Sequence, residues 1–272
     1  MDRLVTDLER RARIGTRHAL ARSARVQSAE EAACAVVCLH ATDPPSVHLS
    51  CWARTDDVAV DDVERALYVT RTMIRQQSMR ETIFVFPRDL VPAVWGSAAA
   101  RVAMSHRKRF VKDLERWGSV PQGEGAASLA AAERAVLDHL ADGIPRSSAR
   151  VREAVPEASG FIVQAPDKAW GGKVAIAPKV LTQLNLDGVV ARADNAGAWY
   201  ASRPTWTTTE TWVGQYMPEA REARKGYAEL VDRWACGRGL DTGRPRQGAT
   251  ETARRSDPDG SSRIARRNAE TH

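Results

Sequence analysis

Cysteine is sparse in this 272-residue chain and poorly spaced for chemistry. Cys34, Cys38, Cys51 and Cys236 form no Cys-x-x-Cys pair, and no histidine completes a zinc spacing. A disulfide framework and a resident metal are therefore not expected, and the chain reads as cytoplasmic. No apolar run approaches the roughly 18 residues that a bilayer span requires. The N-terminus Met1-Asp2-Arg3-Leu4-Val5 lacks the apolar stretch of a signal peptide. No glycine-rich phosphate loop, nucleophile elbow or His-Glu-x-x-His helix occurs, so the best-marked nucleotide-hydrolysing, serine-hydrolase and zinc-protease designs drop out. No cofactor is expected.

What remains is ordinary for a folded protein of two domains: 27% charged and 43% hydrophobic residues. The net charge of +6 and a pI near 9.4 favour a polyanionic partner, though they serve solubility equally well.

Periodicity and caps divide the chain. Asp7 to Leu20 is an amphipathic stretch rich in arginine, and Ser28-x-x-Glu31 is a capping box opening an alanine-rich helix to about Leu39. Asp61-x-x-Glu64 opens a short helix. Arg71 to Arg75 and Glu81 to Phe86 read as strands joined at Gln76-Gln77-Ser78, and residues 88 to 117 are again helical. Residues 118–125 form the linker. Beyond it, helices at Leu129 to Leu140, Ala149 to Ala154 and Ala175 to Leu186 precede a hairpin of Val189 to Ala193 with Ala198 to Ser202 across Asp194-Asn195-Ala196-Gly197. Helices followed by a hairpin, twice, predict a mainly α protein with small antiparallel β-hairpins, built as tandem winged-helix (helix-turn-helix) domains. The expected boundaries are 1–117 for the first domain, 126–212 for the second and 213–236 for a stub of a third unit. A disordered tail over 237–272 holds almost no aliphatic residues besides Leu240 and Ile264.

One block concentrates chemistry: Leu39-His40-Ala41-Thr42-Asp43-Pro44-Pro45, where a helix is expected to run into a Pro-Pro stop. It continues through Leu49-Ser50-Cys51-Trp52-Ala53-Arg54, and about 25 residues later comes Met79-Arg80-Glu81-Thr82-Ile83-Phe84. With Gly171-Gly172 after Trp170 and Ser202-Arg203-Pro204-x-Trp206, these motifs in this order resemble the tandem winged-helix DNA glycosylases of the AlkZ and YcaQ type over roughly residues 10 to 235. The resemblance implies duplex DNA as partner, no membrane, a monomer, and a monofunctional N-glycosyl hydrolase acting on alkylated or crosslinked purines without a cofactor. It places His40 and Thr42 on two polar positions that in the family read Gln-x-Gln or Gln-x-Asp. It also puts Arg54 and Arg80 on the DNA-facing side. Family members continue into a third winged helix and a β-rich domain, so the chain reads as shortened at its C-terminus.

An imidazole titrates near neutrality and suits His40 to take a proton from water, while the Thr42 hydroxyl can orient that water but not deprotonate it. Alternatively, His40 bonds a backbone carbonyl while Thr42 or Asp43 caps the turn before Pro44. Arg80 either contacts DNA or pairs with Asp43 or Glu81. Lys173, read as lying just before a helix start, is a candidate phosphate contact beside a plain loop, and Arg203 is grouped with it. His106-Arg107-Lys108-Arg109 reads as a solvated helical face, with phosphate contact as the alternative. His18, His48, His139 and His272 receive no role, and Trp199, Trp206 and Trp212 read as core. A non-catalytic DNA-binding protein or transcriptional regulator stands as the second function.

Overall fold

The computed structural model describes residues 4–118, 120–164, 166, 169, 171–214 and 219–238. From 239 onward the expected tail lies outside the described residues, as does Trp170.

Helix α1 (Asp7–Arg17) is capped by Thr6, whose hydroxyl accepts from Glu9 N. Helix α2 (Ala29–Ala35) has the expected cap: Ser28 Oγ accepts from Glu31 N, and Glu31 reaches back to Gln27 N at 2.7 Å. The helix stops four residues early, however. Val37 sits at φ 74°, turning the chain, and Leu39–His40 becomes strand β1. The expected Pro-Pro stop is instead a start, since Pro45 opens α3 (Pro45–Trp52), where a missing N–H costs nothing. Helix α4 (Val60–Glu64) is capped by Asp62 on Ala59 N and runs into a π turn at 65–69.

Strands β2 (Met73–Gln77) and β3 (Ile83–Pro87) pair antiparallel, and β1 adds to β3 in the order β1-β3-β2. The hairpin lies about two residues later than the sequence reading put it. Gln76 and Gln77 belong to the strand because Asn185, far along the chain, satisfies them: Gln76 Nε2 donates to Asn185 O at 2.7 Å and Gln77 N to Asn185 Oδ1 at 3.0 Å. Residues 88–117 are helical as expected, through α5 (Val91–Val94), a second π turn and α6 (Ala100–Trp117).

The second helical unit comprises α7 (Gly125–Leu140), the short strand β4 (Arg146–Ser147) and α8 (Ser148–Ala154), followed by a hairpin of β5 (Phe161–Gln164) and β6 (Gly172–Ala175). Then come α9 (Ile176–Leu186) and β7 (Val190–Asn195). The partner of β7 is not 198–202 but β8 (Pro204–Thr208). Asn195 holds the longer connection closed, donating to Ala198 O and accepting from Arg203 N, so the loop spans 196–203. Helices α10 (Thr209–Val213) and α11 (Ala223–Arg238) complete the described chain.

The fold is thus mainly helical with small antiparallel sheets, in winged-helix order. One apolar cluster joins α2, α3, the π turn and the first sheet around Val47, Leu67 and Met73. A second joins α7, α8 and α9 with Phe110 and Leu114 from the end of α6. A third fills the seam, where Ile74 and Phe86 meet Ala191, Ala193 and Trp212.

Candidate active site and nucleic-acid interface

Strand alternation presents the His40 block. Leu39 and Ala41 are buried at 2% exposure each, so His40 and Thr42 turn outward together on one face. Backbone bonds to β3 fix the segment, with Ala41 N donating to Ile83 O at 2.9 Å. The His40 ring stands edge-on to Phe84, with centroids 5.6 Å apart. Thr42 Oγ1 accepts from Ile83 N at 3.2 Å. Thr42 therefore anchors the block to β3 rather than capping a local turn. Among the described residues His40 bonds no carbonyl. Both side chains reach solvent, next to the β2–β3 turn that carries Arg80.

The candidate cations occupy separate elements. Arg80 is exposed, at φ 58°, and pairs with neither Asp43 nor Glu81, because Glu81 pairs with Arg109 of α6. Arg54 is half-buried at the end of α3, where its Nη1 donates to Ser50 O at 2.8 Å, a favourable place for a cation at a helix C-terminus. Burial lowers its pKa from the usual arginine value. Lys173 lies three residues before α9, but in β6 opposite Val163 rather than in a loop, exposed, with its ammonium 4.2 Å from the Phe161 ring centroid. Arg203 is exposed in the loop before β8, its backbone held by Asn195.

The basic run on α6 is not a free solvated face. His106 is buried and shares a 2.8 Å hydrogen bond between its Nδ1 and Gln183 Oε1, and Arg107 pairs with Glu133 and Asp187. Lys108 stays exposed.

His48, given no role from sequence, has a partner. It is fully enclosed, with Nε2 3.1 Å from Glu64 Oε1 and its ring 4.9 Å from that of Trp199, which also meets Trp52 at 5.6 Å. Burial holds this imidazole below the ordinary histidine value, with Glu64 opposing. The available signal was its place on the inward face of α3, with Val47 and Cys51. Among the described residues no group of three or more His, Cys, Asp or Glu side chains is arranged to hold a metal ion, and no helix is long and apolar enough to cross a membrane.

Comparison with known proteins follows the same line. The model of the family described as DNA glycosylase AlkZ-like matches residues 34–250. The solved structure of Streptomyces sahachiroi DNA glycosylase AlkZ superposes with a TM-score of 0.55 at 15% sequence identity, covering 84% of this chain and 57% of that one. This chain thus spans a little over half the length of that structure. A comparison with curated protein sequences gave no match.

Proposed function

The chain belongs to the AlkZ-like family of DNA glycosylases, and from that premise we propose that it hydrolyses the N-glycosidic bond of an alkylated purine in duplex DNA, with His40 and Thr42 as the catalytic pair. The observation that carries this reading is the shared outward face of His40 on β1 and Thr42 just beyond it, the two positions that the resemblance assigns to the family's polar motif. Alkylation at purine N7 already makes the base a cationic leaving group. When the C1′–N9 bond breaks, its electron pair leaves with the base and neutralises that charge. The sugar becomes cation-like, water oxygen bonds to C1′, and one water proton must be removed. His40 accepts that proton. Thr42 Oγ1 has one lone pair engaged by Ile83 N, and its second lone pair accepts the other O–H of the water, orienting it.

Arg54, Arg80, Lys173 and Arg203 are assigned to phosphates, which makes binding dependent on salt and indifferent to sequence. Residues 1–117 and 126–212 act as the two winged-helix modules, joined by 118–125, with 213–236 opening a third unit. A cytoplasmic monomer working on double-stranded DNA completes the reading.

The test incubates the protein with duplex DNA carrying N7-alkylated guanine and scores abasic sites. Excision that falls about a hundredfold in His40→Ala, the usual contribution of a general base, supports the assignment. Excision unchanged in His40→Ala removes it. A second reading, a non-catalytic DNA-binding protein, draws on the structural contacts of both residues, His40 on Phe84 and Thr42 on Ile83 N. Duplex binding with no detectable excision by the parent protein favours it.

A further inference from the structure

On the side of the seam away from the third apolar cluster, two neighbouring strands, β2 and β7, each carry an arginine. Ile74 of β2 and Ala191 and Ala193 of β7 point into that cluster, so the intervening Arg75 and Arg192 point to the other side. Arg75 is only 7% exposed and lies with its guanidinium carbon 5.7 Å from the Tyr68 ring centroid. Arg192 lies 4.7 Å over Trp206 and is partly buried. Among the described residues neither guanidinium makes a hydrogen bond or ion pair. The Nε atoms of both, and the Tyr68 hydroxyl, are enclosed without any partner.

Such an arrangement is costly for the protein alone. A buried charge is disfavoured unless paired, and here two like charges lie near enough for one to oppose the other. Burial, then the charge of Arg75, bring Arg192 down to about 10. Neither nearby acid pairs directly with them: Glu64 is bonded to His48, and Asp194 is exposed and makes no ion pair among the described residues. Paired guanidinium forks with a hydroxyl donor match the geometry and charge of a phosphate group.

We propose that Arg75, Arg192 and the Tyr68 hydroxyl form a phosphate-binding crevice at the seam, on the face of the first sheet opposite His40. The alternation Leu39–His40, carried across β3 by the pairs Leu39↔Val85↔Arg75 and His40↔Phe84↔Gln76, separates the two faces. The phosphate comes either from the DNA backbone or from a free phosphate-bearing molecule.

Thermal unfolding of the full chain in inorganic phosphate, against chloride at equal ionic strength, is the test. In the parent, the melting temperature should climb roughly 3–6 °C for each tenfold rise in phosphate above the dissociation constant. In Arg75→Gln and Arg192→Gln that climb should disappear, while the melting temperature in chloride stays level or rises because the like-charge contact is gone. Arg192→Lys retains the charge but not the fork, and should need about tenfold more phosphate for the same climb. A parent that does not respond, or a response that persists in both glutamine variants as a bulk salt effect, overturns the proposal. So does a fall in the chloride melting temperature with the phosphate response intact, which would make the arginines packing groups over Tyr68 and Trp206. Undamaged duplex then identifies the source. A salt slope lower by about one in each variant assigns the site to the DNA backbone, and an unchanged slope with the phosphate response lost assigns it to a free phosphate. The phosphate measurement requires no excision, so it stands or falls separately from the glycosylase reading.

Discussion

His48 Nε2 lies 3.1 Å from Glu64 Oε1, joining α3 to α4 inside the first unit beside the Trp199 loop of the second. Because burial outweighs Glu64, the folded protein resists protonating this imidazole. His106 is lowered in the same way by burial, against its bond to Gln183.

A pH dependence follows from these two groups. Between the folded and unfolded values the unfolded chain binds more protons, so stability present above about pH 6.5 is lost as the pH falls below it. The melting temperature should drop between pH 7.5 and 5, and His48→Gln should make that drop shallower, the remainder being due to His106 and carboxylates. Equal slopes in the parent and the variant would show that His48 does not titrate with unfolding.

The Thr42 hydroxyl has a separable role in excision. Thr42→Ser keeps the acceptor and should hold the rate within a few-fold. Thr42→Val loses it and should lower the rate by about tenfold, less than His40→Ala, as one positioning hydrogen bond warrants. Single-turnover kinetics on a lesion-bearing duplex measures the order, and a Thr42→Val defect as large as that of His40→Ala would require a different division of labour.

Helix α11 docks through glycines. A Cβ on Gly96 would overlap the Arg221 carbonyl oxygen, and one on Gly226 would lie 2.5 Å from Ala93 O. Gly96→Ala or Gly226→Ala should cost about 1–3 kcal/mol by forcing backbones apart, a loss of roughly 2–12 °C in melting temperature, and expose α11 to protease. Gly172→Ala, whose Cβ would meet nothing within 4 Å, is the control.

The cations should separate by salt dependence. Lys173→Ala, Arg80→Ala and Arg203→Ala should each weaken duplex binding on all sequences and lower the salt slope by about one. Arg54→Ala should change the slope less and the stability more, since its Nη1 already serves Ser50 O. Fluorescence anisotropy from 50 to 200 mM salt reads the slopes, and a tight palindrome-specific footprint would point to a regulator.

Short-range chemistry made part of this protein readable from its residues alone. The Ser28 and Glu31 cap, the apolar face of α7 at Leu129, Val136 and Leu140, and the twofold order of helices then hairpin all depend on neighbours a few positions apart. The outward pairing of His40 with Thr42 was legible too, although its strand setting was not. Other features depended on distant partners. Val37 turns left-handed, and Leu39–His40 leaves the helix, because β3 offers a ladder. Gln76 and Gln77 are strand residues only because Asn185 satisfies them. His48 finds Glu64 through the packing of α3 on α4, and Arg75 comes near Arg192 because β2 lies against β7. Periodicity tells which way a side chain points. What it meets there is decided by topology, since a buried polar group is tolerable only where the folded chain brings something to satisfy it.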